Sequence, residues 1–198
     1  MSETAQYRAD PKSAGDADPV IRQITEVVGS DRILTGEDDR AFYSQDIFAQ
    51  GEIAAAVVRP RTTKELSAAV QAATKAGYAV LPRGGGMSYT DGYIHTVAKS
   101  ISVDTRAMDQ ILEINEADMY VTVQPGVTWA ELDTALAEKG LRTPFWGPFS
   151  GMFATVGGSV SQNAVSFGSG TAGPASDSVI GLEIVLANGE VLKTGTGG

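Results

Sequence analysis

The chain has 198 residues, 42% of them hydrophobic, which is enough to bury one sizeable core or two small layered subdomains that share an interface. The absence of cysteine excludes disulfides, thiolate zinc sites, iron–sulfur ligation and a cysteine nucleophile from these residues, and the single histidine, His95, excludes a multi-histidine metal site. The formal charge of -9 and the scattered positions of the 15 basic residues argue against binding to nucleic acid or to an anionic membrane, because both require clustered Lys and Arg.

The N-terminal residues do not have the pattern of a signal peptide. Residues 1–19 are polar and lack the apolar core of a signal peptide, and no run in the sequence approaches the roughly 20 apolar residues that cross a bilayer. We therefore expect a cytoplasmic protein without a membrane span.

Residues 1–18 are rich in small, charged and turn-forming types, which predicts a flexible N-terminal tail before a folded region over residues 19–198.

Helix and strand signals alternate in the first half of the folded region. Asp18 is a good N-cap, and the apolar spacing after it predicts a helix over residues 19–28. Residues 54–58 and 78–81 are short apolar runs that predict strands. Between them, a Thr–Glu pair with capping-box spacing predicts a helix over residues 62–76.

In the second half the apolar pattern changes to a period of two. Residues 101–103, 111–114 and 120–123 predict strands. A second Thr–Glu capping pair begins a helix over residues 128–140, which a glycine ends. Residues 179–193 predict a hairpin around an Asn-Gly turn.

The loop after the strand at 78–81 carries the strongest functional signal. It reads Arg83-Gly84-Gly85-Gly86-Met87-Ser88, and three successive glycines can turn sharply and present several N–H groups in one concavity. This is how a pyrophosphate is held. Ser88 can add a hydroxyl donor, and the Asp91-Gly92 turn closes the loop. The alternative interpretation is a plain surface turn.

A second glycine cluster reads Thr155-Val156-Gly157-Gly158-Ser159-Val160-Ser161. Its glycine pair allows a close approach, and the hydroxyls on both sides suit a ligand that lies flat on the backbone. The alternative is tight packing of two strands. Two such clusters in one small domain favour a large phosphorylated ligand.

A third glycine-rich segment, Gly168-Ser169-Gly170-Thr171-Ala172-Gly173, matches the dinucleotide fingerprint G-x-G-x-x-G. We reject that interpretation because the fingerprint requires a preceding strand and a helix that opens within it. Residues 163–167 are short and polar, and Pro174 follows at once. The sequence therefore does not predict Rossmann-type NAD binding.

Five short segments within residues 53–198 together form a recognisable set of motifs. They are Val57-Val58-Arg59-Pro60, residues 82–88, Val123-Gln124-Pro125-Gly126-Val127, Thr155-Val156-Gly157-Gly158 and residues 181–189. Each is weak alone, but together they resemble the FAD-binding domain of the vanillyl-alcohol oxidase and p-cresol methylhydroxylase (PCMH) family. The resemblance is greatest to the branch of glycolate oxidase and D-lactate dehydrogenase FAD subunits.

The resemblance implies an α+β fold of the PCMH type, with two α/β subdomains over about 19–96 and 97–198 and FAD extended between them. It also implies a set of cofactor-binding residues along the length of FAD. These are Arg83, Gly84, Gly85, Gly86, Met87, Ser88 and Gly92 at the pyrophosphate, Pro125 and Gly126, then Thr155, Gly157, Gly158, Ser161 and Val165 along a second wall, and the backbone of Val185 at the adenine end.

Three side chains bear on how the flavin is held and used. Many relatives carry a histidine for covalent flavin attachment where this chain has Met87, so the resemblance predicts non-covalent FAD. His95 could act as an acid or base, but a lone loop histidine is more often a satisfied or exposed residue. Trp146 could flank the isoalloxazine ring, although we favour a role as a loop anchor.

The resemblance implies FAD-dependent oxidation of an alcohol or 2-hydroxy acid by hydride transfer to FAD, with the catalytic acid or base outside this chain. Relatives continue into a substrate-binding cap domain, and the glycine-rich end at residues 194–198 is typical of a linker, so we expect a C-terminally truncated fragment without its cap. A homo-oligomer or a partner chain could supply that cap.

Two other functions are alternatives to this oxidoreductase. The first is a non-catalytic flavin-binding subunit that works with a partner chain, and the second is a phosphate-ligand-binding protein without a redox role.

Overall fold

The computed structural model describes residues 18–144 and 147–195. The predicted tail, apart from Asp18, and Trp146 lie outside the described residues. The first half contains two longer helices, each with one buried face, a small sheet and a shorter helix. Its elements are α1 (Pro19–Val28), β1 (Ile33–Leu34), α2 (Glu37–Tyr43), β2 (Ala56–Val58), α3 (Thr63–Lys75), β3 (Ala79–Arg83) and β4 (Ser100–Asp104).

The second half contains two antiparallel strand pairs and three helices among the described residues. Its elements are β5 (Ile111–Asn115), β6 (Tyr120–Val123), α4 (Trp129–Ala137), α5 (Val156–Ser161), α6 (Ser169–Ala172), β7 (Gly181–Val185) and β8 (Val191–Gly195). Nowhere in the described ranges is a helix both long enough and apolar enough to cross a membrane.

The first sheet has the strand order β1-β2-β4-β3. β2, β4 and β3 run parallel, and the short β1 pairs antiparallel with β2 at one edge. The sequence placed the boundary between subdomains near residue 96, yet β4 lies beyond that point and forms the centre of this sheet. All five residues of β4 are buried, as expected for a strand with a neighbour on each side.

Two helices cover the first sheet, and both begin at the N-caps that the sequence predicted. The Asp18 carboxylate accepts a hydrogen bond from Val20 N at 2.8 Å, and the Thr62 hydroxyl accepts one from Glu65 N at 3.1 Å. The capping box of α3 is only half formed, because the Glu65 carboxylate accepts from Arg61 N instead of Thr62 N. The helices and the sheet share a core built from Ile24, Val28, Val58, Ala69, Ala72, Ala73, Ile101 and Val103.

A second core lies under α4, where the predicted capping box is complete. Its buried residues are Val127, Trp129, Leu132, Leu136 and Ala175, and side chains of β5 and β6 pack against them. The β7–β8 hairpin instead contacts α3, where the Ser67 and Thr74 hydroxyls donate to backbone oxygens of the hairpin region. The end of the described chain therefore returns to the first half.

Residues 143–174 contain more regular structure than the sequence predicted. α5 begins inside the second glycine cluster with Thr155 as its N-cap. A four-residue helix, α6, begins inside the rejected dinucleotide fingerprint, so the argument that no helix opens there was wrong. Residues 162–167, which lead into this segment, form no strand, so the fingerprint context is still incomplete.

Candidate cofactor site

The glycine loop, defined here as residues 84–88, leaves the carboxyl end of β3 and begins the connection to β4. Because β2, β3 and β4 are parallel, this loop lies at the edge of the sheet at which all three strands end. Ligands of open α/β sheets bind outside the carboxyl ends of the strands. The fold therefore places the glycine loop where a ligand site is expected.

The glycine loop packs directly against residues 153–155. A Cβ added to Gly85 would lie closer than 3.0 Å to the backbone oxygen of Phe153, and one added to Gly84 would come as close to the Thr155 hydroxyl. Real Cβ atoms do not approach backbone this closely, so the contact requires glycine. The structure thus joins the two glycine clusters that the sequence singled out.

The glycine loop also presents unused hydrogen-bond donors. The backbone N–H groups of residues 84–88 donate to no acceptor in the part of the chain that the structure describes. The loop is only partly buried, and Met87 is 40% exposed. Successive backbone N–H groups in a loop form a concave site for phosphate oxygens. The chain therefore offers a row of donors to an anion at the carboxyl end of β3.

Tyr93 holds the glycine loop from its interior side, a role that the sequence did not indicate. Its buried hydroxyl lies 2.9 Å from Gly86 O and 2.7 Å from Ser88 O, and donates to these carbonyl oxygens. Burial raises the pKa of Tyr93, so the hydroxyl keeps its proton. With the carbonyl oxygens occupied in this way, the N–H groups of the loop are left for a ligand.

Arg83 supports the loop with a buried guanidinium. It donates to Phe42 O at 3.1 Å and to Gln45 O at 3.2 Å, and it lies 4.7 Å from the centre of the Tyr93 ring. Burial lowers the pKa of Arg83, although the neighbouring tyrosines act in the opposite direction. The predicted cofactor residue Arg83 therefore has internal partners for its side chain, and these tie the loop to the end of α2.

The second glycine cluster is joined to the Pro125-Gly126 segment by backbone hydrogen bonds. Val156 N donates to Val127 O at 2.8 Å, and Gly157 N donates to Pro125 O at 3.0 Å. A Cβ on Gly157 would lie 2.5 Å from Pro125 Cβ, so the two segments meet without space for a side chain. The N–H groups that open α5 are used inside the protein, which leaves the glycine loop as the better anion site.

Other predicted residues lie outside these packing contacts. Gly92, Ser161 and Val165 are exposed, and Val165 is 79% accessible to solvent. Val185 lies in β7, and the hydrogen bonds of this hairpin within the described residues lead to α3 and not to the glycine loop. The structure therefore gathers residues 83–88, 125–127 and 155–158, while the remaining predicted positions border this region or lie apart from it.

His95 is buried and screened from solvent, with 1% of its surface exposed. Its Nδ1 lies 2.8 Å from the Ser100 hydroxyl, and its Nε2 has no hydrogen-bond partner among the described residues. Burial and the positive charge of Arg83 lower the pKa of His95, which keeps the ring neutral. This placement agrees with a structural histidine better than with an acid or base that meets a substrate.

A buried carboxylate lies at the end of β4, beside the start of the glycine loop. The Asp104 side chain is completely buried and accepts hydrogen bonds from the Tyr43 hydroxyl at 2.6 Å and from Arg106 Nη2 at 2.8 Å. Burial alone would raise the pKa of Asp104, but the hydrogen bonds from Arg106 and Tyr43 lower it overall. Burial and the bond to Asp104 raise the pKa of Tyr43 to about 12.

Comparison with known proteins identifies the family of this chain. Residues 54–195 match the family model described as an FAD binding domain. The chain belongs to this family of FAD-binding domains. The predicted cofactor, FAD, and the predicted PCMH-type family are therefore confirmed. The matched range contains the glycine loop, the Pro125-Gly126 segment and the second glycine cluster.

The domain has relatives among known enzymes. It is 34% identical over 177 residues to the glycolate oxidase subunit GlcD of Bacillus subtilis, an alignment that covers 89% of this chain and 37% of that protein. It is 30% identical over 192 residues to the mitochondrial D-lactate dehydrogenase [cytochrome] of Arabidopsis thaliana, covering 96% of this chain and 32% of that protein. The chain thus spans about a third of the length of these relatives.

A solved structure confirms the fold of this FAD-binding domain. The crystal structure of p-cresol methylhydroxylase with substrate bound superposes with a TM-score of 0.72 at 18% identity, covering 93% of this chain and 36% of that one. At this identity the likeness shows the fold alone. The α+β architecture of the PCMH type is as the sequence predicted.

The residues of the glycine loop fit FAD. Its unused backbone N–H groups match the acceptor oxygens of a pyrophosphate, and the backbone approaches without side chains at the first two glycines. The described ranges contain no group of His, Cys, Asp and Glu that could hold a metal ion. Met87, at the outer end of the loop, supplies no nucleophilic nitrogen for a histidyl-type flavin bond.

Proposed function

We propose that this FAD-binding domain holds FAD non-covalently and serves an oxidoreductase that oxidises an alcohol or a 2-hydroxy acid. The row of unused N–H groups in residues 84–88 is the observation that carries the proposal. Relatives named glycolate oxidase subunit and D-lactate dehydrogenase support the substrate class. When bound, FAD supplies the acceptor for a hydride taken from the carbon that bears the hydroxyl group.

In this proposal the domain's own residues bind and orient the cofactor. The glycine loop donates hydrogen bonds to the pyrophosphate, and Tyr93 and Arg83 fix the loop from the interior. Residues 155–161, with the Pro125-Gly126 segment behind them, form the second wall. Preorganised donors need little rearrangement when the ligand binds, which increases affinity.

We also propose that FAD lies between two subdomains. The first contains the sheet β1-β2-β4-β3 and its helices, and the second contains β5, β6 and α4, each part with its own hydrophobic core. Residues 84–85 belong to the first part and residues 153–155 to the second, and the two segments are in contact. A division after β4 agrees with the strand pairing better than one near residue 96.

The visible absorption spectrum of the purified protein tests the proposed cofactor and its mode of binding. We expect a flavin spectrum after purification or after addition of FAD, and we expect acid precipitation to release all the colour into the supernatant as FAD, identified by mass. Flavin that stays with the precipitate would contradict non-covalent binding. A protein that binds no added FAD would contradict the proposed function itself.

Tyr93→Phe is expected to weaken FAD binding about fivefold while the protein stays folded. The change removes the hydroxyl that holds Gly86 O and Ser88 O, and a hydrogen bond of this kind contributes about 1 kcal/mol. The measurement is a titration with FAD followed by flavin fluorescence. Tyr120→Phe is the matched control, because its hydroxyl bonds to Glu113 on the exposed β5–β6 pair. An equal loss of affinity in both variants would exclude a specific role for Tyr93.

A further inference from the structure

A second concave site lies at the carboxyl ends of β2 and β4. It has a volume of about 510 Å³ and is lined by Arg59, Arg61, Arg106, Ala107, Asp109 and Gln110. Arg59 follows β2 directly, and Arg106 and its neighbours follow β4. The cavity therefore opens at the same edge of the sheet as the glycine loop, but beside different strands.

The cavity gathers positive charge in an acidic protein. Three of its six lining residues are arginines and one is an aspartate, although the chain as a whole has a charge of -9. Asp104, buried beneath the cavity, forms ion pairs with Arg106 at 2.8 Å and with Arg59 at 3.5 Å. Counting both carboxylates against the three guanidinium groups leaves one positive charge without a counterion.

The guanidinium of Arg59 has donors that the protein does not use. Its Nε is buried and has no hydrogen-bond partner within the described residues, and it faces the Asp104 carboxylate at the ion-pair distance of 3.5 Å. The Arg59 side chain is nevertheless 40% exposed. A partly buried cation with unused donors and an exposed end is typical of a site that binds an anion.

The lining of the cavity shares no residue with the site for FAD. None of its six residues belongs to the glycine loop, to the Pro125-Gly126 segment or to residues 153–161. The glycine loop follows β3, and buried Asp104 and Tyr43 lie under the ends of the strands on the cavity side. An anion in the cavity would therefore use donors that the cofactor does not need.

We propose that this cavity binds the phosphate group of a small phosphorylated ligand, separately from FAD. Guanidinium groups form forked hydrogen bonds with tetrahedral oxyanions, and several arginines suit a dianion. The volume lies within the range of small-molecule sites, about 300 to 1,000 Å³, so a phosphate with a small organic group attached can enter. This inference goes beyond the proposed function and does not depend on it.

The test is phosphate binding to the protein before and after it is loaded with FAD. Inorganic phosphate and pyrophosphate are titrated by calorimetry, and ³¹P line broadening serves as the second readout. We expect both anions to bind the FAD-loaded protein, in which the glycine loop is occupied, at millimolar concentration or below. If the FAD-free protein binds these anions and the FAD-loaded protein does not, they were held at the cofactor site and the proposal of a separate site fails. If neither anion binds, the proposal fails completely.

Single substitutions assign the binding to the cavity. Arg61→Gln, at an exposed lining residue, is expected to weaken phosphate binding about tenfold, the typical effect of losing one charge-assisted contact. Arg22→Gln, on the exposed face of α1, makes the same change of charge at a residue that does not line the cavity and is expected to leave the affinity unchanged. An equal effect of both variants would show general attraction by positive charge and would overturn the proposal. Both variants leave the FAD titration unchanged, so failure of this proposal is distinguishable from failure of the proposed function.

Discussion

Gly85→Ala is expected to reduce the affinity for FAD by roughly 30- to 150-fold, the equivalent of about 2 to 3 kcal/mol for an overpacked contact. The added methyl group would overlap the backbone oxygen of Phe153. The backbone at Phe153 cannot move aside as a flexible side chain can. The glycine loop and residues 153–155 must therefore separate to make room for the methyl group. The donors of residues 84–88 then lose their common position. The measurement is flavin fluorescence on titration with FAD.

Gly170→Ala is the matched control for this prediction. A Cβ at Gly170 meets nothing within 4 Å, and the residue lies in α6, where alanine is the better helix former. FAD affinity and stability are therefore expected to stay as they are in the parent protein. If Gly85→Ala binds FAD as well as Gly170→Ala does, the loop does not need its close contact with Phe153. The proposed cofactor site would then be misplaced.

Asp104→Asn is expected to lower the free energy of unfolding by about 2 to 3 kcal/mol at neutral pH. Removing one partner of a buried ion pair costs roughly 3 to 5 kcal/mol, and we take a smaller value because Arg59 and Arg106 are 40% and 45% exposed. Water can solvate these cations after the carboxylate is lost. The measurement is denaturant unfolding of the two proteins. Asp133→Asn, at an exposed position of α4, is the control and is expected to have little effect.

The effect of Asp104→Asn is expected to disappear in acid. Hydrogen bonds from Arg106 and Tyr43 outweigh burial and hold the pKa of Asp104 below its ordinary value of 3.8. A carboxyl group with a lowered pKa in the folded protein stabilises it fully above the ordinary value, and this contribution is lost as the pH falls through the folded pKa. The difference in unfolding free energy between parent and variant should therefore be constant from neutral pH to about pH 5 and should shrink below pH 4. A difference that stays constant down to pH 2 would show that Asp104 is not stabilised as a carboxylate.

The helices α1 and α4 were predictable because each has a local start signal, whereas α2 was not. Asp18 and Thr128 cap α1 and α4 with their own side chains, so the local sequence contains the information. α2 has Gly36 as its N-cap and no side-chain cap bond. It is held instead by long-range contacts such as the bond from Tyr43 to Asp104, which no local pattern reveals.

The same distinction holds within the proposed site for FAD. The glycine loop could be singled out from the sequence because its donors lie in consecutive residues. The direction of the Arg83 side chain depends on which face of β3 is buried, and the strand exposes Pro82 while it buries Arg83. Tyr93 lies in an irregular segment, and its bonds to the loop follow from a fold-back that has no sequence signature. Supporting residues of this kind become visible only in three dimensions.

The contact between Gly85 and Phe153 also sets an order of events during synthesis on the ribosome. A nascent chain that has emerged through β4 already contains every strand of the first sheet, together with the whole glycine loop. The segment on which the loop rests follows much later in the chain. Contacts between distant parts of a chain are slow to form because loop closure costs entropy. The first sheet can thus assemble co-translationally, whereas the proposed FAD-binding surface is completed only after residues 153–155 have docked.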